Sequence, residues 1–155
     1  MYDEIVSGER QTLGSYTFTA EAIIAFARKF DPQPFHLSAE EGAKTHFGGL
    51  VASGWHTGSV WMRMRVESLQ RIAADRAARG LPPRNTGPSG GFKNLKWLKP
   101  VRAGDTITYY TEFVDKRPLA SRPGWGIAFS LNTGENQHGE LVFSFDGSVF
   151  VPMTG

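Results

Sequence analysis

The chain has 155 residues, of which 40% are hydrophobic and 21% charged, and it contains no cysteine. This length predicts one domain, residues 1–155, and the lack of cysteine excludes disulfides and thiolate chemistry. The formal net charge is only +2, which argues against a nucleic-acid partner, and no apolar run is long enough to predict a membrane span. The first residues lack the pattern of a signal peptide, so we expect a cytoplasmic protein.

The first half of the chain predicts helices after one short strand. The strand covers about Gln11–Thr19 and leads into a helix at about Ala20–Phe30, where apolar residues recur at helical spacing. Pro32 ends this helix, because the residue before a proline is pushed away from the α region. Asp31–His36 is therefore expected to be non-helical and stiffened by Pro32 and Pro34.

Two more helices are predicted before the middle of the chain. Ser38 and Glu41 form a capping box for a short helix at about Ala39–Lys44. Ser53 is placed to cap a longer helix, which begins near Gly54 and runs to at least residue 70. Small side chains in its first half favour close packing against a sheet.

The second half of the chain predicts an antiparallel sheet. Leu81–Gly90 is rich in proline and glycine and reads as a loop. The strand-like segments after it are about Gly91–Lys99, Thr106–Arg117, Trp125–Thr133 and Glu140–Val151. This order of elements predicts the α+β class, with a curved sheet wrapped around one long helix.

Asp31 and His36 stand five positions apart on the proline-stiffened segment. A carboxylate and an imidazole that share one water can take a proton from it and deliver a proton elsewhere, as addition of water to a conjugated thioester requires. Asp31 follows a helix C-terminus and is flanked by Phe30 and Phe35, so we expect its pKa to be raised. The alternative is that Asp31 caps local backbone and His36 packs beside Phe35.

The segment Asp31-Pro-Gln-Pro-Phe-His36 resembles the motif Asp-x-Asn-Pro-(small aliphatic)-His of the MaoC-like family, which includes R-specific enoyl-CoA hydratases. Three other blocks are similar to the family in the same order: Phe18–Ala27, Gly48–His56 and Phe92–Asp105. The resemblance implies a single hot-dog domain, in which a curved antiparallel sheet wraps around a long central helix.

The resemblance also implies roles for individual residues. Asp31 and His36 would be catalytic, and the Gly54 amide would hold the enolate-like thioester oxygen, as free N–H groups at a helix N-terminus are able to do. Ser53 would lie beside this oxygen site. The alternative is that Ser53 only caps the helix and that glycine at position 54 serves close packing.

Several residues are candidates for substrate binding. Gln33 stands where the family usually has Asn, so the hydrogen bond that shapes the turn would come from a side chain one methylene longer. Phe35 stands where the family has a smaller aliphatic residue, so it is expected to narrow the pocket. Trp55 is a candidate wall of an acyl pocket. Arg84 and Lys93 are candidates for the phosphates of coenzyme A, although a solvated sheet face would place the same charges.

The histidines at positions 36, 46 and 56 are equally spaced, which suggests a metal site at first sight. The helix boundaries between them would separate the three rings, and none forms a ligand pair at helical spacing. We therefore expect no metal, and we expect His56 to be a core histidine or part of a pocket wall.

The resemblance implies reversible hydration of an enoyl thioester by a homodimer or a higher homo-oligomer. No metal or redox cofactor is expected, and coenzyme A would enter only as part of the substrate. One alternative is a thioesterase of the same fold, although such enzymes usually carry an acidic or amide group on the central helix, and no carboxylate occurs there before Glu67. The other is a non-catalytic acyl-binding subunit, in which Gln33 and Phe35 have closed the water site.

Overall fold

The computed structural model describes residues 2–153. A short 3-10 helix at Tyr2–Glu4 comes first. The α-helices are α1 (Ala20–Phe30), α2 (Pro34–Leu37), α3 (Ala39–Ala43) and α4 (Gly54–Ala78). The strands are β1 (Arg10–Thr17), β2 (Ser89–Trp97), β3 (Thr106–Pro118), β4 (Trp125–Glu135) and β5 (Leu141–Pro152).

Helix α1 begins where a threonine side chain caps it. The Thr19 hydroxyl accepts a hydrogen bond from the Ala22 N–H over 3.1 Å, so β1 ends at Thr17, earlier than the sequence predicted. Ile23 and Ala27 lie one turn apart on its buried face. The helix ends at Phe30, as predicted, and the next residue is Asp31.

The prediction that Asp31–His36 is wholly non-helical is wrong. Pro34 begins the one-turn helix α2, and His36 lies inside it. Proline is well suited to a first helical position, because the N–H that it lacks would have no partner there and its φ angle is already helical. Asp31 and Gln33 stay outside the helix, so only the second half of the segment departs from the prediction.

Helix α4 is the longest element, with 25 residues, and its end at Ala78 agrees with the prediction that it runs to at least residue 70. Ser53 caps its N-terminus, since the Ser53 hydroxyl accepts a hydrogen bond from the Trp55 N–H over 3.3 Å. The helix ends before Gly80, whose φ of 66° belongs to the left-handed region that glycine adopts most easily. On the sheet side, the Tyr109 hydroxyl donates to the Thr57 carbonyl over 2.9 Å and ties the first turn to β3.

The five strands form one antiparallel sheet in the order β1-β3-β4-β5-β2. The sheet encloses one face of α4, and the main core lies between them, including Leu13, Val60, Met64, Tyr109 and Phe143. This arrangement confirms the predicted α+β hot-dog domain. Strand β2 occupies one edge, so one side of its backbone has no strand partner within the described part of the chain.

The inner face of β4 carries small and polar side chains. Ala128 and Asn132 are buried on this face, whereas Ile127, Phe129 and Leu131 on the other face are only partly covered. Buried and partly covered side chains thus alternate along most of β4, and its larger apolar side chains face away from α4. The small inner side chains leave space between the helix and the sheet.

Within residues 2–153, no helix combines the length and hydropathy that crossing a membrane requires.

Candidate active site

Asp31 and His36 face each other across the turn between α1 and α2. The Nε2 atom of His36 lies 3.2 Å from Oδ2 of Asp31, and the side chains are only 7% and 17% exposed, respectively. The other ring nitrogen of His36, Nδ1, donates a hydrogen bond to the carbonyl of Val51 over 2.7 Å. This bond fixes the ring plane and leaves Nε2 as the nitrogen that faces the carboxylate.

Three groups surround the carboxylate of Asp31. Burial raises its pKa, but hydrogen bonds from Gln33 and Ser53 and the charge of His36 together outweigh burial, so the pKa lies below its ordinary value. The Gln33 amide donates to Oδ1 of Asp31 over 2.8 Å. The prediction of a raised pKa is therefore wrong. One reason is that Phe30, 69% exposed, turns to solvent and does not enclose the carboxylate.

The pair borders a cavity of about 400 Å³, which we call the Asp–His cavity. Its wall includes Asp31, Gln33, Phe35, His36, Gly54, Trp55 and Trp97. The structure thus brings six of the nine predicted site residues to the wall of this cavity. A seventh, Ser53, caps the helix start that borders the cavity and helps to lower the pKa of Asp31. Phe35 packs edge-on against His36, with ring centroids 4.5 Å apart.

Gly54 is the first residue of α4, and its N–H has no protein acceptor among the residues that the structure describes. The indole of Trp97 packs over this residue so closely that a Cβ at position 54 would lie 2.3 Å from ring atom Cε2. Trp97 also meets Trp55 edge-on, at 5.2 Å between ring centroids. An N–H group at a helix start, covered by an indole, is suited to hold a partial negative charge away from water.

A second cavity, of about 390 Å³, lies between α4 and the sheet, and we call it the sheet cavity. Gly54, Trp55 and Trp97 line both cavities, so the two adjoin at the start of α4. Apolar side chains of Trp61, Met62, Leu69, Phe92 and Phe145 form much of the wall of the sheet cavity. Met64 of the same helix is buried in the core instead.

Arg84 and Lys93 lie outside the walls of both cavities. The Arg84 guanidinium pairs with Glu4 at 2.5 Å, and Arg76 pairs with the same carboxylate at 3.2 Å. Lys93 is exposed on β2, in register with Asp146 of β5. The role of these two cations in binding phosphates therefore stays a prediction.

The three equally spaced histidines are dispersed. His46 stacks near Phe47, at 4.0 Å between ring centroids. His56 is buried against Phe26, with the rings 4.6 Å apart and nearly parallel, and burial lowers its pKa to about 4. Between Tyr2 and Met153, no group of three His, Cys, Asp or Glu residues is arranged to hold a metal ion.

Some cavity residues were not identified from the sequence. Arg65, Thr111, Ser130 and Asn132 all line the sheet cavity, and Trp97 lines both cavities. Arg65 had a usable signal, since it follows Gly54, Gly58 and Trp61 on one helical face. The polar residues of β3 and β4 gave none, because their meeting depends on strand register.

Comparisons with known proteins agree with this fold. A family model described as "MaoC like domain" matches residues 5–124. The MaoC-like dehydratase of Rhodospirillum rubrum is 34% identical, with a TM-score of 0.82 over 97% of this chain and 94% of that one. An R-hydratase of Pseudomonas aeruginosa, 22% identical, has the same fold, with a TM-score of 0.69 over 97% of this chain and 84% of that one.

A further relative is YdeM of Bacillus subtilis, an uncharacterised protein that is 28% identical over 149 residues, or 96% of each chain. Because the family model covers most of the sequence, the chain belongs to the MaoC-like domain family.

Proposed function

We propose that the protein catalyses reversible addition of water to a 2-enoyl thioester, and thus also dehydration of the 3-hydroxyacyl thioester. The observation that carries this proposal is the Asp31–His36 pair, which shares one cavity with the first N–H group of α4. Family membership and the 34% identical MaoC-like dehydratase of Rhodospirillum rubrum support the same reaction class.

The pair has the protons that the reaction needs. Both ring nitrogens of His36 face acceptors, the Val51 carbonyl and the Asp31 carboxylate, so we assign His36 as the imidazolium in the resting pair. As the water oxygen bonds to C3 of the substrate, the carboxylate takes one proton from that water, and Nε2 of His36 gives one proton to C2. The 3.2 Å contact then returns the proton from Asp31 to His36, which restores the pair.

The thioester oxygen gains negative charge while C3 is attacked. We propose that the Gly54 N–H binds this oxygen, helped by the positive end of the 25-residue helix α4. Trp97 covers the site and keeps the local dielectric low, which strengthens this interaction. Gln33 and Ser53 hold the Asp31 carboxylate in place, and Phe35 and Trp55 would contact the substrate near the reacting carbons.

The proposed reaction moves only protons and water, so it needs no metal or redox cofactor. Coenzyme A would enter as part of the substrate, and the protein would work in the cytoplasm as a homodimer or a larger assembly of dimers. Arg84 and Lys93 remain candidates for the phosphates only if the bound carrier extends beyond the two cavities.

Three assays on the purified protein test this function against its alternatives. Trans-2-enoyl-CoA substrates should lose their conjugated absorbance, and 3-hydroxyacyl-CoA should form. A thioesterase would instead release free coenzyme A from saturated acyl-CoA, and a non-catalytic subunit would bind acyl-CoA in calorimetry without turnover. Either of these latter results, with no hydration in any chain length, would refute the proposal.

A further inference from the structure

A positively charged side chain lines the sheet cavity without a counter-ion. Arg65 of α4 is half-buried in its wall, yet it makes no ion pair or side-chain hydrogen bond to any residue from Tyr2 to Met153. The guanidinium carbon of Arg65 lies over the ring of Phe113, 5.9 Å from the ring centroid. Burial lowers the pKa of Arg65, with no acidic group acting in the other direction.

An unpaired guanidinium in such a wall is costly, because burial removes water from the charge without supplying an acceptor. Arginine nevertheless keeps its charge at neutral pH, and its planar group matches a carboxylate through two parallel hydrogen bonds. Arg63, two positions earlier on the same helix, is different, since it points outward and pairs with Glu67 at 2.8 Å.

The sheet side of the same cavity adds polar groups. The Thr111 hydroxyl donates to the Asn132 side-chain oxygen over 2.6 Å, and the Asn132 amide donates to the Ser130 hydroxyl oxygen over 3.1 Å. Because Ser130 accepts in this chain, its own hydroxyl hydrogen is available to donate. Ser130 is in register with Phe113, the residue beside Arg65. The end of the sheet cavity at Arg65 and Ser130, which we call the donor end, therefore offers hydrogen-bond donors to a ligand.

The donor end lies away from the reacting centre. Gly54 and Arg65 are eleven positions apart on α4, a rise of roughly 16 Å along the helix axis. A long side chain on a helix leans back toward the N-terminus, which shortens this separation at the guanidinium. Apolar walls, including those of Trp61, Met62 and Phe145, lie between the two ends.

We propose that the protein acts on acyl thioesters whose chain ends in a carboxylate, with the thioester at Gly54, the methylene chain along the apolar wall and the terminal carboxylate at Arg65 and Ser130. This inference rests on the proposed function for the position of the thioester. It names the substrate class: a medium-length dicarboxylic acid activated at one end.

The first experiment compares matched pairs of 2-enoyl-CoA substrates, of equal chain length from six to twelve carbons, with a terminal methyl or a terminal carboxylate. The wild type should prefer the carboxylate member in kcat/KM at the best-fitting length. Arg65→Met should lower kcat/KM for the carboxylate member by roughly 10- to 100-fold more than for the methyl member, since this is the usual contribution of a charged hydrogen-bonded pair.

Arg63→Met is the matched control, because it removes an arginine from the same helix outside the cavity wall. Arg63→Met should leave kcat/KM unchanged for both substrates of the pair. Arg65→Lys should recover part of the preference, since it restores the charge without the planar group. If Arg65→Met weakens both members equally, or splits the assembly in light scattering, Arg65 serves packing or pairs with another subunit, and the inference is wrong.

A binding measurement separates this inference from the proposed reaction. Saturated acyl-CoA with a terminal carboxylate should bind more tightly in calorimetry than the equal-length methyl analogue, and Arg65→Met should abolish the difference. Selective binding without hydration would refute the reaction and keep the chain-end assignment. Hydration without preference for the carboxylate would refute the chain-end assignment and keep the reaction.

Discussion

His36 Nε2 and Asp31 Oδ2 lie 3.2 Å apart, although one residue belongs to a one-turn helix and the other follows a separate helix. The contact depends on Pro34, which starts α2 and so directs His36 back toward Asp31. Val51 holds the imidazole from the opposite side. The pair is therefore positioned before any substrate arrives, which reduces the ordering that the reaction requires.

Removing either member of the pair should abolish most of the hydration. Asp31→Asn and His36→Gln each take away one proton-transfer group, so kcat should fall on the order of 100-fold or more with an enoyl-CoA substrate. The double variant should fall little further than either single variant, because the two groups act as a unit. Loss of the conjugated absorbance of the enoyl-CoA, followed continuously, gives these rates.

Two substitutions serve as controls for that experiment. Asp75→Asn changes an exposed aspartate on α4 that pairs with Arg79, and His138→Gln changes an exposed histidine in the turn before β5. Both should retain wild-type rates and fold stability. Full activity in Asp31→Asn would contradict the proposed mechanism.

Gln33 should set the acid limit of the reaction. Its amide helps to hold the pKa of Asp31 below the ordinary value, so the carboxylate stays ionised, and the enzyme active, as the pH falls. Gln33→Leu removes this donor and should raise that pKa, which moves the acid limb of log kcat/KM toward higher pH. A pH–rate profile measures the shift, as an apparent value for the coupled pair.

Gln33→Asn restores the residue that is usual in the family motif and keeps an amide donor. Its acid limb should lie between those of the wild type and Gln33→Leu. If the acid limb of log kcat/KM is the same in Gln33→Leu as in the wild type, the prediction is wrong, and Ser53 and His36 alone lower the pKa of Asp31.

The close approach of Trp97 to Gly54 should appear as a coupling between the two positions. Gly54→Ala places a methyl group within 2.3 Å of the indole, which should destabilise the fold by about 1–3 kcal/mol. Trp97→Leu removes the ring atoms involved, so Gly54→Ala should cost less in that background. Urea denaturation of the wild type, the two single variants and the double variant gives the coupling energy between the two positions. Equal costs in both backgrounds would contradict the packing.

The elements and the Asp31–His36 pair could be predicted from the sequence because their signals are local. The helical spacing of apolar residues predicted α1, and the motif within Asp31–His36 was enough to predict the pair. The pKa direction of Asp31 could not be predicted, because it depends on whether Phe30 turns to solvent and on the reach of Gln33 and Ser53. Local sequence does not encode either property.

The sheet cavity could not be predicted from the sequence either, and the reason is different. Arg65, Thr111 and Asn132 come from α4, β3 and β4, and they meet only because the strands pair in one register. A shift of one residue would exchange the two faces of β4 and fill the cavity with Ile127 and Phe129. The cavity is therefore a property of the tertiary structure.

The edge strand β2 should mediate self-association. It carries Phe92, 60% exposed, and Trp97, 48% exposed, beside backbone groups that lack a strand partner on one side. An apolar sheet edge of this kind favours pairing with another copy. Light scattering should give twice the mass of the chain, and Phe92→Asp should shift the protein toward monomer. Val114→Asp, at an exposed position of β3, is the control and should remain dimeric.

His56 should make the fold sensitive to moderate acid. Its pKa is lowered from 6.5 to about 4 by burial, so between these values the unfolded chain binds a proton that the folded chain does not. The free energy of unfolding therefore falls as the pH is lowered through this range, by a total on the order of 3 kcal/mol from this group. His56→Phe keeps the stacking on Phe26 but cannot titrate, so its stability should fall less between pH 6.5 and pH 4. Urea denaturation of both proteins across this range measures the difference, and parallel curves would contradict a neutral, buried His56.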